Sequence, residues 1–127
     1  MTALWLVLAA MTAPLYQTTV PFSPGATQGI DHRVHGLYLS TVVMEARAVD
    51  GGARVTLKLR ITNIGDRDCD ADLSASLLAA DGRVLATLVE SEEIEEDDNV
   101  TASFKFRLAA GGLADVASVH LAIKSIE

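Results

Sequence analysis

Hydrophobic and polar residues alternate one for one along several stretches of this chain. The clearest stretch is RVTLKLRIT at 54–62, and the same alternation returns at 100–108 and 117–124. Successive side chains of a β-strand point to opposite faces of its sheet. A period of two therefore predicts a strand with one face in a core and the other in water.

Weaker strands are expected at 37–49, 73–79 and 83–89. Glycine supplies the positive φ angles that tight connections require, and a glycine-containing turn falls between neighbouring strands. The pattern predicts a mainly β fold, an antiparallel immunoglobulin-like β-sandwich over residues 37–127. The turn signals are Asp50-Gly51-Gly52, Asn63-Ile64-Gly65, Asp81-Gly82 and Gly111-Gly112.

The hydrophobic core has to stabilise this sandwich by itself. The 127 residues fit one domain, and 50% of them are hydrophobic. The single cysteine, Cys69, can form neither an internal disulfide nor a zinc site made of several thiolates.

The N-terminal segment 1–13, MTALWLVLAAMTA, is the most apolar part of the chain, and no Asp, Glu, Lys, Arg or His precedes Asp31. A helix of this length spans about 20 Å, less than the roughly 30 Å hydrocarbon core of a bilayer. We expect a short hydrophobic helix or arm, either retained or serving as a signal or anchor sequence. Residues 14–36, with three prolines and three glycines, are expected to form an extended linker or arm. Thr18, Thr19, Val20 and Phe22 have strand character, so part of this arm could pair along a sheet edge.

A helix that is hydrophobic on every side has to be buried in lipid or in protein. Because the sandwich has a core of its own, we expect the segment and the arm to contact other copies of the chain. The predicted assembly interface consists of Leu4, Trp5, Leu6, Val7, Leu8, Met11, Leu15, Tyr16, Val20 and Phe22.

Acidic residues outnumber basic residues by 17 to 10, which gives a net charge of −7. Polyanion binding requires a basic surface, so nucleic acid is not an expected partner. The run 90–98 accounts for the excess, and we expect it to be a solvated loop because blocks of like charge stay hydrated. The other acids equal the bases in number, which predicts that positive and negative charges are evenly distributed over the rest of the surface.

Residues 65–72, GDRDCDAD, and the run 90–98 are the places where carboxylates could bind Ca²⁺, but an EF-hand would need other residues at Ala71 and Leu77. His32 and His35 lack the further ligands of a metal site. Aspartates around the cysteine make its thiol a poor nucleophile. The sequence contains no nucleophile elbow, phosphate-binding glycine loop or HExxH motif. We expect no catalytic residues, metal or cofactor, and no enzymatic activity.

The layout resembles that of archaeal-type type IV pilins. The matching features are MTALWLVLAAMTA at the N-terminus and VTLKLRITNIGD at 55–66 in the β domain. In that family the mature chain begins with a hydrophobic helix that packs with its copies in the filament core. The resemblance implies a structural subunit of an extracellular cell-surface filament or pilus, a homopolymer that meets the membrane only before assembly. Trp5 stands where bacterial pilins usually have glutamate. Donor-strand assembly, in which the arm around residues 18–22 completes a neighbour's sheet, is the alternative mode.

The competing interpretation is an exported or membrane-anchored immunoglobulin-like accessory or binding domain, whose N-terminus is a signal or anchor sequence. Aromatic residues make up 5% of the chain. This low content argues against a carbohydrate- or peptide-binding cleft, because such sites are usually rich in aromatic side chains.

Overall fold

The computed structural model describes residues 13–127, which form eight β-strands and one short 3-10 helix. The hydrophobic helix or arm expected at the N-terminus lies, apart from Ala13, outside the described residues. The elements are β1 (Tyr16–Pro21), β2 (Thr27–Val34), β3 (Leu37–Val49), β4 (Gly52–Asn63), β5 (Cys69–Leu78), β6 (Val84–Ile94), β7 (Asn99–Ala109), the 3-10 helix (Gly112–Asp115) and β8 (Ser118–Ile126).

The strands form two four-stranded sheets in which every neighbouring pair is antiparallel. Sheet I has the order β1-β8-β5-β6, and sheet II has the order β2-β3-β4-β7. Side chains from both sheets contribute to one hydrophobic core cluster, so the sheets pack face to face. The mainly β, antiparallel two-sheet architecture predicted from the alternation is confirmed.

Along β4 and β7, the apolar residues of the alternation face the core and the polar residues face outward, as the period of two predicts. The outward side chain of Lys58 is 44% exposed, whereas the two leucines on either side of it are buried. Burial of a large apolar side chain stabilises the fold by roughly 1.5 to 3 kcal/mol. The predicted core residues that the structure buries are Leu57, Leu59, Phe104, Phe106, Leu121 and Ile123.

A buried asparagine organises the turn after β4. Asn63 is 1% exposed, and its side-chain amide donates hydrogen bonds to the carbonyl oxygens of Arg67 (2.8 Å) and Ile94 (3.0 Å). Its Oδ1 accepts a hydrogen bond from the backbone N–H of Gly65 at 3.0 Å. The side chain therefore joins the end of β4 to the end of β6 in the other sheet.

Residues 14–36, expected to be a linker or extended arm, instead provide β1 and β2. β1 pairs with β8 along one edge of sheet I, and β2 pairs with β3 along one edge of sheet II. Pro21 is the last residue of β1, and Pro24 and Gly25 lie in the connection to β2. Because a proline cannot donate a backbone hydrogen bond, it is tolerated at a strand end and in a connection. The two sheets thus begin before residue 37.

The acidic run 90–98, expected to be a loop, belongs partly to a strand. β6 continues to Ile94, which is fully buried, and only residues 95–98 form the turn to β7. The carboxylates interrupt the apolar alternation of β6, and for this reason the sequence pattern predicted its end at residue 89.

Candidate binding surfaces

The described part of the predicted assembly interface lies along β1. Leu15 is 43% exposed, whereas Tyr16, Val20 and Phe22 are half-buried and pack against the core of their own chain. The other predicted interface residues lie outside the described residues: Leu4, Trp5, Leu6, Val7, Leu8 and Met11.

An aromatic contact joins the edge strands of the two sheets. The rings of Tyr16 on β1 and His32 on β2 stack with their centroids 4.0 Å apart and an angle of 15° between their planes. On the outer face of sheet I, the hydroxyl of Thr19 lies 3.0 Å from Nδ1 of His120, within hydrogen-bonding distance. These contacts hold β1 against its own sandwich on two sides.

Two carboxylates of β6 lie on the core-facing side of the edge strand. Glu92 stands opposite Ala71 and Glu90 opposite Leu73, and both partners are buried. Partial burial, and then the neighbouring charge of Glu90, raise the pKa of Glu92. Inward-pointing charges are a known protection of sheet edges against pairing with another chain.

The aspartates of 65–72 act in local hydrogen bonds. The carboxylate of Asp72 accepts hydrogen bonds from the hydroxyls of Ser91 (2.6 Å) and Ser125 (3.2 Å). Oδ1 of Asp68 accepts one from the backbone N–H of Glu96 at 2.9 Å. Within residues 13–127, no three or more His, Cys, Asp or Glu side chains are grouped so as to hold a metal ion.

Basic residues are concentrated on the outer face of sheet II. Six of the ten Lys and Arg residues lie on the outward side of β3, β4 and β7, and Glu45 is the acid on that side of these strands. The even distribution of charge predicted outside the acidic run is therefore wrong. We call this surface the basic face; its bases are Arg47, Arg54, Lys58, Arg60, Lys105 and Arg107.

Three arginines form a row across the basic face. The strand register places Arg47 opposite Arg54, and Arg54 opposite Arg107. Like charges directly opposite each other destabilise a sheet. A guanidinium N–H of Arg107 donates to the backbone oxygen of Asp50 at 3.1 Å. The three guanidinium groups therefore repel one another, and the single hydrogen bond of Arg107 offsets only part of this repulsion.

A groove of about 360 Å³ lies on the basic face beside this row. Glu45 forms an ion pair of 2.7 Å with Lys58, and no other ion pair occurs among residues 13–127. The arginines of the row and Lys105 are thus left without a carboxylate partner in the described part of the chain. The residues lining the groove are Glu45, Ala46, Arg47, Arg54, Thr56, Lys58, Ser103 and Lys105.

No protein-family model and no curated protein matches this chain. Among solved structures, the chain is similar to the trimeric lipoprotein SadB of Salmonella enterica, with a TM-score of 0.52 and 9% identity over 99% of this chain and 71% of that one. A tailspike protein of bacteriophage CBA120 matches with a TM-score of 0.28 and 13% identity, over 87% of this chain and 18% of that one. At 9% identity, the similarity to SadB is a similarity of fold alone.

In the part of the chain that the structure describes, no helix is long and apolar enough to cross a bilayer.

Proposed function

We propose that this chain is an exported immunoglobulin-like module that acts by binding rather than by catalysis and is held at the cell surface through its N-terminal segment. The single observation that carries this proposal is the position of β1. β1 lies beside β8 and packs against the core of its own chain. The sandwich is thus complete from Tyr16 onward, so the apolar segment before it is free to serve as a signal or an anchor.

The strand connections support the immunoglobulin-like assignment. β4 and β5 follow each other on opposite sheets, β7 lies beside β4, and β8 lies beside β5. The B, C, E and F strands of immunoglobulin domains have this same Greek-key relation. In this assignment β3 corresponds to strand A, and β1 occupies the edge position next to strand F that strand G fills in immunoglobulin domains.

A surface location is supported by two features together. The chain begins with thirteen residues that carry no charge, and its fold is similar to that of a protein described as a lipoprotein. An apolar run of this length is one part of a secretory signal peptide, although no Lys or Arg precedes it here. These features support a location outside the cytoplasm, at the cell surface.

A filament subunit is the second candidate function, as the resemblance to archaeal-type type IV pilins implies. One observation favours it. β1 is an edge strand that follows directly after the apolar segment, and an edge strand can pair with the sheet of a neighbouring subunit by main-chain hydrogen bonds. In this proposal the N-terminal segment and β1 join copies of the chain into a homopolymer.

The test is intact-mass measurement of the native protein from the cell envelope and the medium, combined with negative-stain microscopy of the same fractions. The exported module predicts either loss of the N-terminal segment or its retention in a membrane fraction, with single particles at about 1 M salt, where charge-based contacts are screened. The filament subunit predicts filaments that contain the whole segment. Recovery of the full-length protein only from the cytoplasm would contradict both.

A further inference from the structure

The basic face and the acidic run 90–98 carry opposite charges on one chain. The face has six bases and one acid, and the run has seven acids and no base. Along β7, Arg107 lies nine residues beyond Asp98. At about 3.3 Å per residue this separation is roughly 30 Å, three times the Debye length of about 10 Å at 0.1 M salt. Arg60 lies closer, since it donates to Asn99 beside Asp98, but the arginine row and the acidic run cannot neutralise each other within one molecule.

We propose that the basic face docks the acidic run of a second copy of this chain. The acidic run forms the end of an edge strand and the turn after it, and Glu93, Glu95 and Glu96 are exposed there. On the face, Arg47 and Arg107 are exposed and Arg54 is half-buried. Guanidinium groups bind carboxylates through paired hydrogen bonds, so the arginine row offers several such contacts to one acidic strand end.

The contact is heterologous, because it joins two different surfaces. A pair leaves one acidic run free on one copy and one basic face free on the other, so the association continues into rings or open chains. A long polyanion fits less well, because beyond the arginine row it would follow β7 to the acidic run of the same molecule, whereas a short acidic strand end stops at the row. The contact does not involve the N-terminal segment, and it goes beyond the function proposed above.

Sedimentation velocity of the full chain in a non-ionic detergent tests this contact, because detergent covers apolar surfaces and leaves charges active. We expect self-association at low salt that is lost when salt rises from about 0.1 M to about 1 M, where the Debye length falls to about 3 Å. Association that persists at high salt, or a monomer at every salt concentration, would overturn the proposal.

Two triple variants test the polarity of the contact. Arg47→Gln/Arg54→Gln/Lys105→Gln removes three charges from the basic face, and Glu93→Gln/Glu95→Gln/Glu96→Gln removes three from the acidic run. Each variant alone should associate at least tenfold more weakly than the unmodified chain. Mixed together they should form a dimer that grows no further, because each retains the one surface that the other needs.

The matched control is Arg67→Gln/Arg83→Gln/Lys124→Gln, which changes the net charge by the same amount at positions outside the basic face. It should lose far less association than the basic-face variant, because both variants gain the same general repulsion and the control keeps the basic face. If the control loses association to the same extent as the basic-face variant, net charge governs the behaviour and the proposal is wrong. If only the basic-face variant loses binding to polyphosphate while its self-association is unchanged, the face binds polyanions instead. Circular dichroism of each variant shows that these surface changes leave the fold intact.

Discussion

β4 and β6 are strands of similar length, but only β4 has a continuous alternation of apolar and polar residues. β4 lies between β3 and β7 in the middle of sheet II, and its core-facing positions are apolar and buried. β6 lies at the edge of sheet I and carries Glu90 and Glu92 on its core-facing side, while Val89 on its outer side is 56% exposed. The comparison shows how position within a sheet decides whether a strand needs an apolar alternation. A central strand is covered by neighbours on both sides, whereas the open side of an edge strand keeps inward carboxylates in contact with water.

The largest expected effect comes from truncating a leucine on each strand. Leu59 of β4 is 2% exposed, and Leu59→Ala should lower the free energy of unfolding by about 2 to 5 kcal/mol through lost burial and the cavity left behind. Leu88 of β6 is only half-buried, so Leu88→Ala should cost less than half as much. Urea denaturation of both variants measures the difference, and equal losses would remove the contrast between the two strands.

An intermediate effect is expected where the two strands are joined. Asn63→Ala removes the donor to the carbonyl oxygens of Arg67 and Ile94 and the acceptor for Gly65. Leaving buried polar groups without partners should cost about 1 to 3 kcal/mol. The control is Asn99→Ala, because Asn99 is exposed and accepts its hydrogen bond from Arg60 at the surface. If thermal unfolding shows the same loss for both variants, the buried turn does not link the sheets in the way described.

The smallest effect concerns the carboxylates of β6. Burial raises the pKa of Glu92 in the folded protein above the ordinary value of 4.5 that it has in the unfolded chain. At a pH between the unfolded and the folded pKa, the folded protein therefore binds more protons than the unfolded one. Stability should therefore fall as pH rises through that window and stay reduced above it. Glu92→Gln should raise the melting temperature at pH 7 and flatten this decline. Glu93→Gln, on the outer side of the same strand, is the matched control, and an equal gain there would indicate general charge repulsion instead.

Much of the fold follows from patterns that are local in the sequence. The alternation around Leu57 and Phe104 identifies central positions directly, because each buried residue has a polar residue on either side. The strand character of residues 18–22 is local, but their partner is not, because pairing with β8 joins residues about a hundred positions apart.

The basic face shows a different reason why sequence patterns fall short. Alternation places Arg54 and Arg107 on outward sides of their strands, but nothing local indicates that they stand opposite each other. Their juxtaposition depends on the register between strands, and register is fixed by hydrophobic faces and turns far from the arginines themselves. A count of charges along the chain therefore predicts evenly distributed charge, whereas the folded protein has the basic face on sheet II.

The central claim is that this chain completes its own sandwich with β1. Leu15 donates its backbone N–H to the carbonyl oxygen of Ile123 at 2.9 Å, and Phe22 donates to Ala117 at 3.0 Å. Hydrogen exchange of a chain limited to residues 13–127, followed over a range of dilutions above 0.5 M salt, tests the claim most directly. The account predicts a monomer whose amides at both positions stay protected at every concentration. Protection that appears only in oligomers and disappears on dilution would show that β1 belongs to a neighbouring molecule.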